Sequence, residues 1–178
     1  RDYGTTNYSQ HGKSVTPDRL KPMDAVQIVS ELALNARKAA RTLSTATGAE
    51  RKAALEAIAQ AIETRSAEIL AANELDMANA RSENMHPQMQ DRLLLTADRI
   101  KGIAGGARQV AALPDPLGQT LRKSTLPNGL ELEQISVPFG VIGMVYEARP
   151  NVTVDAAVIL LMSGNAALLR GSSTARDS

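Results

Sequence analysis

Two apolar runs with an apolar helix between them, close together near one end of the chain, constrain this fold most. They lie in VPFGVIGMVYEARPNVTVDAAVILLMSGNAALLRGS, Val137 to Ser172. Val141 to Glu147 is a short run with β-branched residues, the pattern of a buried strand. Pro150 disfavours helix at Arg149 and forces a loop after that strand. Asn151 or Thr153 can cap the next helix, with Asp155 in its favourable first turn. Ala156 to Met162 is apolar on all sides, which predicts a buried helix. Ser163-Gly164-Asn165 stops it, with Gly164 as the left-handed cap. Ala166 to Leu169 returns as a second apolar strand. A span of about 30 residues fits one βαβ crossover and makes the two strands parallel. Ligands of such units bind outside the carboxyl ends of the strands. Those ends carry Glu147-Ala148-Arg149-Pro150-Asn151 and Arg170-Gly171-Ser172-Ser173.

The preceding residues divide into helices and one hairpin. Residues 1–21 are polar and aperiodic and read as a flexible arm. Val26, Val29, Ala33, Ala36, Ala40 and Leu43 alternate by three and four residues, one face of an amphipathic helix over Asp24 to Leu43. Thr47-Gly48-Ala49-Glu50 has the form of a capping box, and the helix it starts keeps its buried face through Leu55, Ile58, Ile62 and Ile69 towards Asn79. His86-Pro87 breaks the pattern before a short helix, Gln88 to Leu95. Thr96 caps a further helix to Leu113, whose Gly102, Gly105 and Gly106 suggest close packing. Gln119 to Leu126 and Leu130 to Val137 flank Pro127-Asn128-Gly129, a strong hairpin signal with one wet face. The resulting division is an arm (1–21), a helical part (22–118), a hairpin (119–136) and the start of a parallel sheet (137–178).

Composition narrows the function. A net charge of +1 gives no electrostatic case for nucleic acid or a membrane surface. Aromatics at 2% argue against base-stacking surfaces. With no cysteine, the chain holds neither thiolate metal sites nor a cysteine nucleophile. His86 has no second ligand at metal spacing and reads as a surface or capping histidine, so no metal site is expected. No apolar run is long enough to span a bilayer and no signal-peptide core appears, which makes the cytoplasm the default compartment. Neither a G-x-G-x-x-G fingerprint nor a phosphate loop is present. From these residues alone the reading is an α/β domain with a polar cleft at its strand ends.

The blocks VPFGVIGMVYEARPNVTVDAA and SGNAALLRGSS carry a resemblance to the γ-glutamyl phosphate reductase family of the aldehyde dehydrogenase superfamily. It extends back to about Met23 through NARKAAR, AAN-ELD and DRLLL-TADRI and covers roughly the first two fifths of such an enzyme. The resemblance implies an aldehyde-dehydrogenase-like fold: N-terminal helices, a β-hairpin arm and the first βαβ unit of an NADP-binding sheet. It also implies NADPH-dependent reduction of γ-glutamyl 5-phosphate to glutamate 5-semialdehyde, in proline synthesis, by a homo-oligomer whose hairpins make subunit contacts. The family's nucleophilic cysteine has no counterpart here, so truncation before the catalytic domain, and no activity alone, are the expectations.

By residue chemistry Asn151 is a helix cap; by resemblance it is an amide donor to the carbonyl oxygen of a thioester. Arg170 is an ordinary cation at a strand end. In the superfamily a lysine at that place contacts the adenosine ribose, and arginine suits a phosphate on that ribose better. Ser172 and Ser173 can donate to the same phosphate, although the sequence has Gly171-Ser172 where two glycines are the pattern, and residues 174–177 also depart from it. Glu147 and Arg149 form either a solvated ion pair or part of the site, Arg149 then facing the substrate's carboxylate or phosphate. Two further readings stand beside this one: a non-catalytic interaction module on the same scaffold, and another acylating aldehyde dehydrogenase.

Overall fold

A computed structural model describes residues 22–178, so the arm expected over 1–21 lies outside the described residues. Five helices come first: α1 (Pro22–Thr45), α2 (Gly48–Thr64), α3 (Ser66–Ser82), α4 (Pro87–Leu93) and α5 (Ala97–Ala112). A hairpin of β1 (Thr120–Thr125) and β2 (Glu131–Ile135) follows, then β3 (Val141–Val145), α6 (Pro150–Met162) and β4 (Ala166–Arg170). A 3-10 turn, Ser173–Ala175, comes after β4. β3 and β4 pair in parallel, Val141 opposite Ala166 and Val145 opposite Arg170, as the crossover pattern requires.

Local chemistry sets the ends of these elements. The Thr47 hydroxyl accepts from the Glu50 N–H at 3.2 Å, and the Glu50 carboxylate accepts from the Thr47 N–H at 2.7 Å, completing the capping box. His86 caps α4 through Nδ1, which accepts from the Gln88 N–H. Thr96 caps α5 at the Arg99 N–H. Gly129 (φ 84°) closes a three-residue hairpin loop, its N–H bonded to the Leu126 carbonyl at 2.9 Å. At the end of α6 the N–H groups of Gly164 and Asn165 reach the carbonyls of Leu161 and Leu160, the paired bonds of a Schellman motif. Gly164 has φ 72°, and a β-carbon there would lie 2.8 Å from Leu117 and 2.9 Å from Pro138. Conformation and space both demand glycine.

Three apolar clusters join the elements. Leu55 and Ala59 of α2, Ala104 and Ala107 of α5, and Val158 and Met162 of α6 form the largest. Ala36 and Ala40 of α1 pack on Ala166, with Val141 and Leu168 beside them, so α1 covers one face of the short sheet. Met77 and Ala80 of α3 meet Leu93 and Ala148 in the third. Charged groups reinforce the first: Arg108 of α5 is clasped by Glu56 and Glu63 of α2 at 2.8 and 2.7 Å. That guanidinium holds the Glu63 carboxyl below its ordinary pKa.

Several expectations need correction. The helix expected to run from Thr47 towards Asn79 breaks at Arg65, which ends α2 and begins α3. The Thr64 hydroxyl bonds back to the Gln60 carbonyl, a competition that weakens a continuing helix. On α1 only the second half of the apolar stripe is covered; Val26 and Val29 are exposed. The first strand is not buried along its length either, for Val145 is 82% exposed. It belongs to a two-stranded sheet, and a run of apolar residues is covered only where another element lies across it. Ile159 of α6 is likewise exposed, and both hairpin strands are exposed rather than wet on one face.

The glycines of α5 do not serve close packing. A β-carbon at Gly102, Gly105 or Gly106 would meet nothing within 4 Å. Gly105→Ala and Gly106→Ala should therefore each stabilise the fold by about 0.5–1 kcal/mol, the helix-propensity difference. A higher midpoint in chemical denaturation is the expected result; a lower one would reveal a neighbour that needs the gap.

Candidate functional site

Ala148 is the pivot of the loop between β3 and α6. It is buried against Met77, Ala80 and Leu93, and its flanking residues enter two different clefts. Tyr146 and Glu147 line one of about 600 Å³, together with Arg170, Gly171, Ser172 and Ser173. Arg149 and Asn151 line another of about 460 Å³, with Asp91, Arg92, Arg99 and Asp155. The residues singled out from the sequence are thus brought together in two groups rather than one.

The first cleft lies at the carboxyl ends of the parallel strands, where a βαβ unit is expected to take its ligand. The Arg170 carbonyl accepts from the Tyr146 N–H at 3.1 Å, the last rung of the ladder. Its guanidinium is exposed and bonds the adjacent Gly171 carbonyl, with no acidic partner among the described residues. The Tyr146 hydroxyl is 2.6 Å from the Thr153 hydroxyl, which holds the ring against Gly171. Ser172 caps the 3-10 turn, its hydroxyl 2.8 Å from that of Thr174. Ser173 is exposed, so its hydroxyl is the freer of the two.

In the second cleft the capping expectation is overturned. Helix α6 begins at Pro150, with Arg149 at the cap position and no side-chain cap bond. Proline at the first helical position has its φ preset for helix, so the helix starts ahead of either candidate cap. Thr153 is engaged with Tyr146, and the Asn151 amide donates to Asp155 Oδ2 at 3.1 Å, one turn on. Asn151 is therefore a first-turn residue whose amide faces the cleft, with one N–H committed.

The solvated Glu147–Arg149 pair does not form. Glu147 lies 3.6 Å from Arg92 instead, while the Nε of Arg149 is buried with no hydrogen-bond partner. Burial of Ala148 sends its neighbours apart and accounts for the exchange. Arg99 donates to Asp91 Oδ1 at 2.8 Å and to the Leu94 carbonyl at 2.7 Å, fixing the turn from α4 to α5. Buried Asn73 completes that turn: its amide donates to the Leu93 carbonyl at 2.9 Å and its oxygen accepts from the Leu95 N–H at 2.7 Å.

Arg92, Arg99 and Asp155 line the second cleft and were not singled out from the sequence as candidates for it. The first two sit in the DRLLLTADRI block, which marked a resemblance but offered no spacing to tie it to Asn151. Among the described residues no group of three or more His, Cys, Asp or Glu side chains is placed to hold a metal ion, and no helix is long and apolar enough to cross a membrane.

No family model matches the chain. Individual proteins do. Over 148 residues it is 54% identical to a γ-glutamyl phosphate reductase of Geobacillus thermodenitrificans, covering 83% of this chain and 36% of that protein. The same enzyme from Kineococcus radiotolerans is 52% identical over 143 residues, covering 80% and 33% respectively. That from Thermobifida fusca is 51% identical over 155 residues, covering 87% and 37%. The crystal structure of γ-glutamyl phosphate reductase from Thermotoga maritima superposes with a TM-score of 0.81 at 38% identity, over 84% of this chain and 36% of that one. The Saccharomyces cerevisiae enzyme gives 0.79 at 32% identity, over 83% and 38%. The resemblance and the fold class read from the sequence are borne out. The chain spans a little over a third of the length of these relatives.

Proposed function

Because the chain is a homologue of γ-glutamyl phosphate reductases over four fifths of its length, we propose that it forms the N-terminal part of such an enzyme. The observation that carries this is identity above 50% over more than four fifths of the chain. The reaction proposed for the whole protein is γ-glutamyl 5-phosphate plus NADPH and a proton giving glutamate 5-semialdehyde, NADP and phosphate. Its place is proline synthesis, and the cytoplasm is the compartment that suits it. A cysteine from outside these 178 residues is the nucleophile in this reading, displacing phosphate to leave a thioester.

Residues of the first cleft fit an NADP molecule. Arg170 has an exposed guanidinium with no acidic partner among the described residues, the donor set a ribose phosphate needs. Ser173, and Ser172 when its hydroxyl turns from Thr174, would add donors. The bound cofactor supplies hydride. On the other side of Ala148, Asn151 would give its free amide N–H to the carbonyl oxygen as charge develops there. The exposed hairpin is the arm through which copies of the whole enzyme would associate.

The test is steady-state kinetics on the full-length gene product, run as oxidation of glutamate 5-semialdehyde with phosphate. Phosphate-dependent reduction of NADP is the expected result, with none from residues 1–178 alone. Turnover by residues 1–178 would sink the cysteine-dependent reading. Arg170→Ala should raise the KM for the 2′-phosphorylated cofactor by about ten- to a hundredfold, the size of a lost charged hydrogen bond. The KM for the unphosphorylated cofactor should hardly move. Equal weakening of both would exclude a 2′-phosphate contact.

A further inference from the structure

The second cleft holds more cation than that reading uses. Arg92, Arg99 and Arg149 line it against Asp91 and Asp155. Some of these charges are already committed: Arg99 is held by Asp91, and Asp155 accepts from Asn151. Arg92 has only a long contact to Glu147, at 3.6 Å, and both of those side chains are substantially exposed. Arg149 has no acidic partner among the described residues, and its Nε is buried with nothing to accept its proton. A buried N–H left unpaired is costly, so the guanidinium gains by turning to an anion in the cleft that it lines.

We infer that Arg149, with Arg92 in the same cleft, seats the α-carboxylate of the substrate, so that the cleft selects an α-amino-acid semialdehyde over simple aldehydes. The planar guanidinium fork matches the two oxygens of a carboxylate. Asp155 decides between the two anionic ends of γ-glutamyl phosphate. Its negative charge in the same cleft repels a phosphate carrying up to two charges but accommodates the ammonium beside an α-carboxylate. The inference rests on the proposed reductase activity, since Asn151 of this cleft is taken to hold the reacting carbonyl.

The experiment uses the full-length gene product with NADP and phosphate and two substrates, glutamate 5-semialdehyde and 4-aminobutanal, its decarboxylated analogue. Arg149→Ala should lower kcat/KM for glutamate 5-semialdehyde about a hundredfold, mainly through KM, because a charge-assisted pair is lost. The analogue should lose much less, so discrimination between the two collapses, and the KM for phosphate should stay constant. Arg149→Lys should restore part of the discrimination. Arg92→Ala, at an exposed side chain whose loss does not threaten folding, should reduce discrimination in the same direction by a smaller factor. Equal losses for both substrates, or a raised KM for phosphate alone, would overturn the carboxylate seat while leaving the reductase reading standing. A wild-type protein without phosphate-dependent oxidation would overturn both.

Discussion

Asn151→Ala in the full-length protein should lower turnover by about a hundredfold or more, the size of effect seen when one preorganised donor to an oxyanion is removed. The KM for NADP should change little, because the first cleft holds none of this side chain. The structure makes this substitution a cleaner discriminator than the sequence did. As a helix cap, Asn151 would affect stability as well as catalysis, and the two effects would be confounded. Its only hydrogen bond in the described structure is to Asp155, on the exposed side of the first turn. Losing such a bond costs about 0.5–1.5 kcal/mol at most. Turnover should therefore collapse while the melting temperature shifts by only a few degrees. Retained turnover with a large loss of stability would remove Asn151 from the catalytic machinery.

Asp115→Ala should be strongly destabilising. Arg51 of α2 is 4% exposed, and its Nη2 donates to both oxygens of Asp115 at 2.6 and 2.7 Å. Asp115 also accepts from the Leu117 N–H at 3.0 Å and lies against Gly48, at the start of α2. Removing it would strand a buried guanidinium, whose other bond runs to the Ala46 carbonyl and whose Nε already lacks a partner. Breaking a buried pair in this way costs about 3–5 kcal/mol. Asp115 itself is about a third exposed, so solvent screening sets the expectation near the lower end, about 3 kcal/mol or somewhat less.

The pH dependence follows with a definite sign. The Leu117 N–H first, and then the Arg51 guanidinium, hold the Asp115 carboxyl below its ordinary value. Its stabilisation is therefore fully present above the unfolded-chain pKa of about 3.9 and is lost as pH falls through the lower folded value. The gap between wild type and Asp115→Ala, measured by urea denaturation, should be constant above about pH 5 and should narrow below about pH 4. A gap unchanged down to pH 2 would show that the ion pair is not its source.

The elements legible in advance are those set by contacts within a few residues. Thr47 and Glu50 close their box across one turn, Gly164 bends the chain where α6 ends, and Gly129 closes the hairpin. The parallel pairing was legible too, because a strand, a helix and a strand in so short a span leave the chain little alternative. Sequence alone therefore determined the order of the strands, most of the helices, the parallel pairing and the lack of a cysteine, though not the break at Arg65. Only the tertiary structure decided which side chains share a cleft. Ala148 carries no chemistry that a sequence reader would mark, yet its burial against Met77 and Leu93 sends Glu147 to Arg92 and Arg149 into the cleft of Asn151. Arg92 and Asn151 stand far apart in the chain, with no periodicity linking them. Exposure escaped the sequence for the same reason: Val145 and Val26 are as apolar as any core residue. Burial is a property of what lies opposite, and the chain does not write that beside the residue itself.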